Sequence, residues 1–284
     1  MDEMTRIAPD QPVVEAHGTR IPKLGFGTFG VTGEEARTAV ATALEVGYRH
    51  VDTAEMYGNE REVGEGIRDS GVPRDAIFLT TKVWHENLAD GVLQRSAERS
   101  VETLGVGPVD LYLIHWPSRQ VPVEEAVRAL NAVKAAGLAK AIGVSNFPVA
   151  LLERAWAASE APLVANQVEY HPNLDQSPVL GFLRAHGMAL TAYCPIARGR
   201  LFHNETVAAI AARHGATPSQ VLLAWLIAQD VVAAIPKSGR RERIEENFGA
   251  LSVRLSDEEM AALHALARPD GRIIDPAFGP DWDA

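Results

Sequence analysis

The chain has 284 residues, of which 46% are hydrophobic and 23% are charged. This composition is typical of a folded domain and excludes extensive disorder, and the length allows one α/β barrel or two smaller domains. The formal net charge of −10 disfavours nucleic acid and anionic membrane surfaces as partners.

The first twelve residues, MDEMTRIAPDQP, are acidic and contain proline, and they lack the apolar core of a signal peptide. We expect residues 1–12 to be disordered. No apolar run approaches the ~18 residues of a membrane span, and the only cysteine, Cys194, allows no internal disulfide and no CxxC metal site. These features predict a cytoplasmic protein without a metal ion.

A short extended pair comes next, because VVEAHGTRIP contains two apolar pieces around His17, Gly18 and Thr19. This pattern predicts a β-hairpin. Eight apolar segments typical of strands follow along the chain, and they read LGFGTF, HVDT, IFLTTKVW, DLYLIHW, AKAIGVSN, VANQVEY, ALTAYCP and VVAAIPK.

Helix-like segments separate these strands. The first has helical spacing that ends at Gly47, and capping boxes at Thr217 and Ser256 begin two later helices. Parallel strands need such crossover helices, so we predict a single domain, residues 1–284, folded as a (β/α)8 barrel with a helix after each strand. The hairpin would close the barrel floor.

Several predicted strands end in ionisable or amide side chains, and the carboxyl ends of barrel strands share one rim, where active sites lie. A single such residue is usually structural, whereas a whole rim of them indicates a site. The residues are Asp52, Lys82, His115, Ser145, Asn146, Asn166, Gln167, Lys237 and Ser238.

The ionisable members of this rim form a proton-transfer set with Tyr57, which follows the second barrel strand. A tyrosine with a pKa of about 10 is a poor acid unless a cation stabilises its phenolate. Lys82 would be that cation, Asp52 would hold its charge in place, and His115 would hydrogen-bond a substrate oxygen. The set is suited to carbonyl reduction.

The stretch from Lys237 to Arg243 carries a basic residue at four of seven positions and opens a helix. Cations are disfavoured at a helix N-terminus, so a bound phosphate is one explanation, and the extra phosphate of NADPH suits arginine. A solvated basic helix face is the other, and position alone does not separate them.

A competing motif is GFGTFG, in which Gly25, Gly27 and Gly30 match the GxGxxG of a Rossmann dinucleotide site, with Asp52 positioned as a ribose ligand. A Rossmann-type NAD dehydrogenase is therefore an alternative. Pro22 and Lys23 argue against it, because a buried apolar strand should precede the first glycine.

Taken together, these segments resemble the aldo-keto reductase family over nearly the whole chain from about residue 13. The resemblance implies the barrel fold and an NADPH cofactor bound across the rim. It also implies reduction of small aldehydes, ketones or dicarbonyls to alcohols, with Tyr57 as general acid. The similar stretches are LGFGTF, GYRHVDTAEMYGNEREVGEGI, TTKVW, DLYLIHWP, AIGVSNF, NQVEYHP, IPKS and RIEEN.

The resemblance also assigns roles to residues. The catalytic tetrad would be Asp52, Tyr57, Lys82 and His115. The cofactor would contact Gly27, Thr28, Ser145, Asn146, Gln167, Tyr193, Cys194, Ile196, Lys237, Ser238, Arg240, Arg243, Glu246 and Asn247. The substrate would contact Phe29, Trp84 and Trp116.

Within the family the chain is most similar to bacterial 2,5-diketo-D-gluconate and methylglyoxal reductases, which implies a small carbonyl substrate and a monomer. YCPI replaces the common YSPL, and the basic ARGR that follows leaves open whether Arg198 and Arg200 contact cofactor, substrate or solvent. Because the fold also serves channel-regulating subunits, an NADPH-sensing binding module is a further alternative.

Overall fold

The computed structural model describes residues 11–282. It begins with an antiparallel hairpin of β1 (Val13–Ala16) and β2 (Thr19–Pro22). An eight-stranded parallel sheet follows, with its strands side by side in chain order. These strands are β3 (Phe26–Gly27), β4 (His50–Asp52), β5 (Phe78–Val83), β6 (Val109–Ile114), β7 (Ala139–Ser145), β8 (Leu163–Glu169), β9 (Ala189–Tyr193) and β10 (Val232–Ala234).

The sheet closes on itself where β3 meets β10. Leu24, just before β3, forms a parallel bridge with Ala234. The Gly25 amide donates to the Ala234 carbonyl (2.8 Å), and the Ala234 amide donates to the Lys23 carbonyl (2.7 Å). The predicted barrel is thereby confirmed.

The same closure explains the GxGxxG pattern. A Cβ placed on Gly27 would lie 2.8 Å from the carbonyl oxygen of Ile235, so only glycine lets the first and last strands approach this closely. Gly25 and Gly27 belong to the barrel seam, while Gly30 lies after β3 with a φ of 76° and no atom within 4 Å of an added Cβ. The Rossmann alternative is wrong, since it needs an open, doubly wound sheet.

Ten α-helices lie around the barrel within residues 11–282, and each has part of its surface buried. Their bounds are α1 (Gly33–Val46), α2 (Glu60–Asp69), α3 (Val92–Leu104), α4 (Val123–Ala135), α5 (Val149–Ala158), α6 (Ser177–Ala185), α7 (Glu205–His214), α8 (Pro218–Ala228), α9 (Arg241–Phe248) and α10 (Asp257–His264). The capping boxes at Thr217 and Ser256 are confirmed at the starts of α8 and α10.

Two helices exceed the predicted pattern of one helix after each strand. Both α7 and α8 follow β9, and α10 follows α9. The additional pair, α7 and α10, is joined by Glu259, which accepts hydrogen bonds from His214 (2.8 Å) and contacts Arg213 (3.2 Å). They lie outside the barrel repeat, which strand counting alone does not reveal.

The hairpin closes the barrel floor, as predicted. Val14, Ala16 and Ile21 are buried in one apolar cluster with inward-facing barrel residues such as Phe78 and Leu111. This packing seals the amino-terminal end of the barrel and leaves the carboxyl end as its open face. Of the segment expected to be disordered, residues 1–10 lie outside the described range, while the Gln11 side chain donates to the Gly47 carbonyl (2.7 Å).

Candidate active site

A cavity of about 490 Å³ opens at the carboxyl ends of the strands, and most of the predicted site residues line it. From the predicted tetrad these are Asp52, Tyr57 and His115, and Lys82 lies beneath them with no exposed surface. Asp52 ends β4, Lys82 belongs to β5, His115 follows β6, and Tyr57 lies on a 3-10 turn (Glu55–Tyr57). Four separate segments therefore meet at one rim.

Lys82 is the centre of the tetrad. Its ammonium donates to Asp52 Oδ1 (2.6 Å), to the Thr53 carbonyl (2.8 Å) and to the Tyr57 hydroxyl (3.4 Å). Burial lowers the pKa of Lys82, and the neighbouring Asp52 charge opposes that shift. A buried ammonium is thus held charged by a carboxylate and aimed at a phenol oxygen.

Electrostatics keep the phenol protonated. Burial, and after it the Asp52 charge, raises the pKa of Tyr57 well above its usual value near 10. The net direction is opposite to the expected lowering by Lys82, because loss of hydration outweighs the nearby cation in this environment. The stabilisation that Lys82 gives the phenolate is therefore smaller than the cost of burying that charge.

His115 is neutral near pH 7. Burial, followed by the positive charges of Lys82 and His85, lowers the pKa of His115 well below 6.5. Its ring meets the Tyr57 ring edge-on, with centroids 5.6 Å apart. The neutral imidazole has one N–H donor and the protonated phenol has one O–H donor, so together they offer two hydrogen bonds to one oxygen atom in the cavity.

Amide side chains extend the network to the next strands. Gln167 donates to Asp52 Oδ2 (2.7 Å), so both oxygens of Asp52 are engaged. Asn146 donates to the His115 carbonyl (3.0 Å) and accepts from the Tyr193 hydroxyl (2.8 Å). Asn146 has a φ of 64°, a left-handed conformation that asparagine tolerates better than most residues. Asn146, Gln167 and Tyr193 all face the cavity.

Ser145 and Asn166 do not line the cavity. Ser145 donates to the Gln167 carbonyl (2.8 Å) and accepts from Asn146 (3.1 Å), and Asn166 donates to the Phe147 carbonyl (2.9 Å). Ser145 and Asn166 instead stabilise the backbone beside Gln167 and Asn146, the two amides that do line the cavity. Gly27 and Thr28 line the cavity at the barrel seam.

The basic stretch after β10 divides into two groups. Arg241 pairs with Glu45 and Glu245. Lys237, Arg240 and Arg243 are exposed, and no carboxylate lies within ion-pair distance of them among residues 11–282. Three of the four basic side chains therefore have no carboxylate partner among the described residues.

The other residues predicted near the cofactor's adenosine end have partly structural roles. Ser238 accepts from the Arg240 amide (3.1 Å) and shapes the turn before α9. Asn247 is buried and accepts from the Ser219 hydroxyl (2.7 Å), while the Glu246 carbonyl accepts from Gln220 (2.9 Å). Among the residues predicted to contact the adenosine end of the cofactor, from Lys237 to Asn247, only Lys237 lines the cavity.

Phe29, Trp84 and Trp116, the predicted substrate contacts, line the cavity. Phe29 is 54% exposed and packs edge-on against Tyr57, with centroids 5.2 Å apart. Phe278 was not predicted, yet it also lines the cavity and contacts both tryptophans, at 5.5 Å from Trp84 and 5.6 Å from Trp116. We call Trp84, Trp116 and Phe278 the aromatic wall.

Residues 274–279 supply much of what sequence reasoning missed, because Ile274, Pro276 and Phe278 all line the cavity. No local sequence pattern marks a loop as a cavity wall. Met56, Pro195, Ile235 and Pro236 were likewise not predicted and line the same cavity.

The two arginines in the loop after β9 differ in position. Cys194, Ile196 and Arg198 line the cavity, and Arg200 does not. Cys194 and Arg198 have φ values of 52° and 51°, which are uncommon for residues other than glycine. Arg198 thus adds a positive charge to the cavity, which Lys237 also lines.

Within residues 11–282, no cluster of His, Cys, Asp or Glu is arranged to hold a metal ion, and none of the helices is long and apolar enough to cross a membrane. The closed barrel, the buried lysine–aspartate pair and the phenol beside them define an oxidoreductase barrel, in which a positioned tyrosine faces the cavity.

Comparisons with known proteins identify the family. The profile of the aldo/keto reductase family matches residues 23–268. Methylglyoxal reductase DkgB from Escherichia coli O157:H7 is 42% identical over 266 residues, which cover 93% of this chain and 99% of that protein. The chain therefore belongs to the aldo-keto reductase family and is an NADPH-dependent oxidoreductase.

Solved structures agree with this assignment. A candidate 2,5-diketo-D-gluconic acid reductase B superposes with a TM-score of 0.94 at 46% identity, covering 96% of this chain and 98% of that one. An Asp-to-Ala mutant of Gox0644 in complex with NADPH superposes with a TM-score of 0.86 at 35% identity, covering 93% and 97%.

Proposed function

We propose that this enzyme reduces small aldehydes, ketones and dicarbonyls, of the methylglyoxal or 2,5-diketo-D-gluconate type, to alcohols, with Tyr57 as the general acid. The observation that carries the proposal is the contact of the buried Lys82 ammonium with both the Asp52 carboxylate (2.6 Å) and the Tyr57 hydroxyl (3.4 Å) at the cavity. The relatives named for methylglyoxal and 2,5-diketo-D-gluconic acid support the substrate class.

The cavity suits NADPH by the chemistry of its donors. Asn146 and Gln167 would hold the carboxamide of the nicotinamide, and the Tyr193 ring would stack on it. Lys237 and Arg198 line the cavity and suit the pyrophosphate, and the unpaired Arg240 and Arg243 suit the 2′-phosphate. Bound there, NADPH supplies the hydride for the carbonyl carbon.

Tyr57 would deliver the proton to the carbonyl oxygen. Burial raises the pKa of Tyr57, so the phenol stays protonated at neutral pH until negative charge develops on the substrate oxygen and draws the proton from it. Lys82 stabilises the phenolate that results, and Asp52 holds Lys82 in place. Neutral His115 donates a second hydrogen bond to the same oxygen and so orients the carbonyl.

The test is replacement of Tyr57 by Phe, which removes one oxygen atom. Turnover of methylglyoxal and nitrobenzaldehyde should be abolished, followed as NADPH absorbance. NADPH binding, followed by quenching of tryptophan fluorescence, should change less than about twofold. Tyr170→Phe is the matched control, since the Tyr170 hydroxyl bonds Gln229 (3.0 Å) away from the cavity, and it should retain turnover.

Two outcomes would contradict the proposal. Retained turnover in Tyr57→Phe would remove the general-acid role. If the unmodified protein bound NADPH and reduced none of methylglyoxal, diketogluconate, nitrobenzaldehyde or a simple ketone, the substrate class would be wrong, and a cofactor-dependent protein partner captured under those conditions would favour a sensing role.

The proposal includes a cytoplasmic monomer. A single cysteine, half-buried and unable to form an internal disulfide, suits a reducing compartment. Light scattering after gel filtration should give a mass close to 30.7 kDa. A dimer mass would exclude the monomer.

A further inference from the structure

The C-terminal wall, residues 274–279, has no helix or strand to hold it in place. It nevertheless supplies Ile274, Pro276 and Phe278 to the cavity, and Phe278 completes the aromatic wall. A segment without backbone pairing to a neighbouring element keeps its position only through individual anchoring contacts. Those contacts therefore determine the shape of this side of the cavity.

The first anchor is Glu169, the last residue of β8, which has no exposed surface. Its Oε1 accepts from the Ile273 amide (2.8 Å) and from His171 Nε2 (2.9 Å), and its Oε2 accepts from the Ile274 amide (2.8 Å). The carboxylate of a rigid barrel strand thus binds two consecutive backbone amides at the start of the C-terminal wall. His171, also fully buried, fixes the orientation of the carboxylate.

The second anchor is Arg119, in the loop after β6. Its guanidinium donates to the Gly279 carbonyl (3.0 Å), at the other end of the C-terminal wall. Between these two anchors, Phe278 packs against His85 with nearly parallel rings, 4.3 Å apart. The segment is held at both ends, and its middle faces the cavity.

We propose that Glu169 is a positioning residue that sets substrate range by clamping the C-terminal wall onto the barrel. Glu169 is not among the residues that line the cavity. The proposal rests on the proposed function, because it assigns the aromatic wall to the substrate. A substrate with an aromatic ring needs the wall in place, whereas a three-carbon dicarbonyl binds at the tetrad without reaching it.

Glu169→Gln is the decisive variant. An amide has one acceptor oxygen, so its NH2 group would face a backbone N–H and leave at least one buried donor unsatisfied. The KM for nitrobenzaldehyde should rise at least fivefold with a smaller change in kcat, and kcat/KM for methylglyoxal should change less than twofold. NADPH affinity should be unchanged.

Hydrogen exchange provides a readout that does not depend on turnover. The Ile273 and Ile274 amides should exchange at least tenfold faster in Glu169→Gln, whereas amides of β8 should not. Asp110→Asn is the matched control: Asp110 is also a buried carboxylate that accepts from a backbone amide, that of Leu79 (2.9 Å), but at the amino-terminal end of β6. It should leave exchange in the C-terminal wall and the substrate ratio unchanged.

Arg119→Ala tests the outer anchor with an exposed residue, and it should shift the substrate ratio in the same direction even if Glu169→Gln folds poorly. Unchanged amide exchange in Glu169→Gln would overturn the clamp. Equal losses on both substrates would overturn its link to substrate range. If the unmodified protein reduces no carbonyl, the proposed function fails, while amide exchange still decides whether Glu169 holds the wall.

Discussion

Replacement of Lys82 by Met should both abolish turnover and destabilise the fold. Lys82 and Asp52 have 0% and 1% exposed side-chain surface, so their ion pair is fully removed from water. Removing one partner of a buried pair leaves an uncompensated charge, which costs about 3–5 kcal/mol. Gln167 still donates to the second oxygen of Asp52, so we expect the lower end of that range.

The double variant separates the charge from the shape of the side chain. Asp52→Asn alone removes the negative charge and leaves the buried ammonium with neutral oxygen acceptors, such as the Thr53 carbonyl and the Tyr57 hydroxyl, and it should destabilise by a similar amount. With both substitutions neither charge remains. The loss should then be smaller than the sum of the single losses by at least about 1–2 kcal/mol.

Urea unfolding followed by tryptophan fluorescence measures all four proteins in one thermodynamic cycle. An exposed pair provides the scale: Arg154 and Glu124 are 51% and 38% exposed, and Arg154→Ala should change the free energy of unfolding by no more than about 1 kcal/mol. A loss below about 1 kcal/mol in Lys82→Met, or strictly additive losses, would refute a buried pair in which both partners are charged.

Three further predictions concern separate features. Arg243→Ala should weaken NADPH roughly tenfold more than NADH, in line with a charged hydrogen bond to phosphate, while the carboxylate-paired Arg241→Ala should not, as measured by fluorescence titration. Because the pKa of His115 is lowered in the folded state, the unfolded state binds more protons below pH 6.5. The free energy of unfolding should therefore decrease as the pH is lowered below 6.5, by up to about 1.4 kcal/mol per pH unit. His115→Gln should reduce this decrease, as measured by urea unfolding at pH 7.5 and 5.0. Gly64→Ala would place a Cβ 1.8 Å from a backbone carbonyl of α3 and should destabilise by more than about 2 kcal/mol, whereas Gly181→Ala in α6 meets nothing within 4 Å and should stabilise by about 0.5–1 kcal/mol.

The sequence was sufficient for features that repeat or that sit at strand ends. Alternation of strands and helices predicts the barrel, and barrel geometry then places Asp52, Lys82 and His115 on one rim without further information. Where prediction from the sequence failed, the reason is also physical. The glycines near residue 27 matched a phosphate-binding pattern because close approach of two backbones needs the same residue type, whether the neighbour is a ligand or another strand.

Tertiary partners decide what local patterns leave open. The sequence offers four equivalent basic residues after β10, and only the fold places Glu45 of α1 beside Arg241 and leaves Arg243 unpaired. Phe278 gave no signal either, since an aromatic residue in a tail has no periodicity. Its role depends on hydrogen bonds to Glu169, more than one hundred residues earlier in the chain.

The two buried carboxylates on the rim, Asp52 and Glu169, therefore have different roles. Asp52 accepts from side chains and fixes the groups that handle the proton, while Glu169 accepts from backbone amides and fixes a segment. The first arrangement depends on side-chain identity at Lys82 and Gln167. The second places no demand on the side chains of residues 275–277, because it holds backbone groups, namely the Ile273 and Ile274 amides and the Gly279 carbonyl. Substitutions in the C-terminal wall can therefore change which carbonyls fit while the tetrad stays as it is.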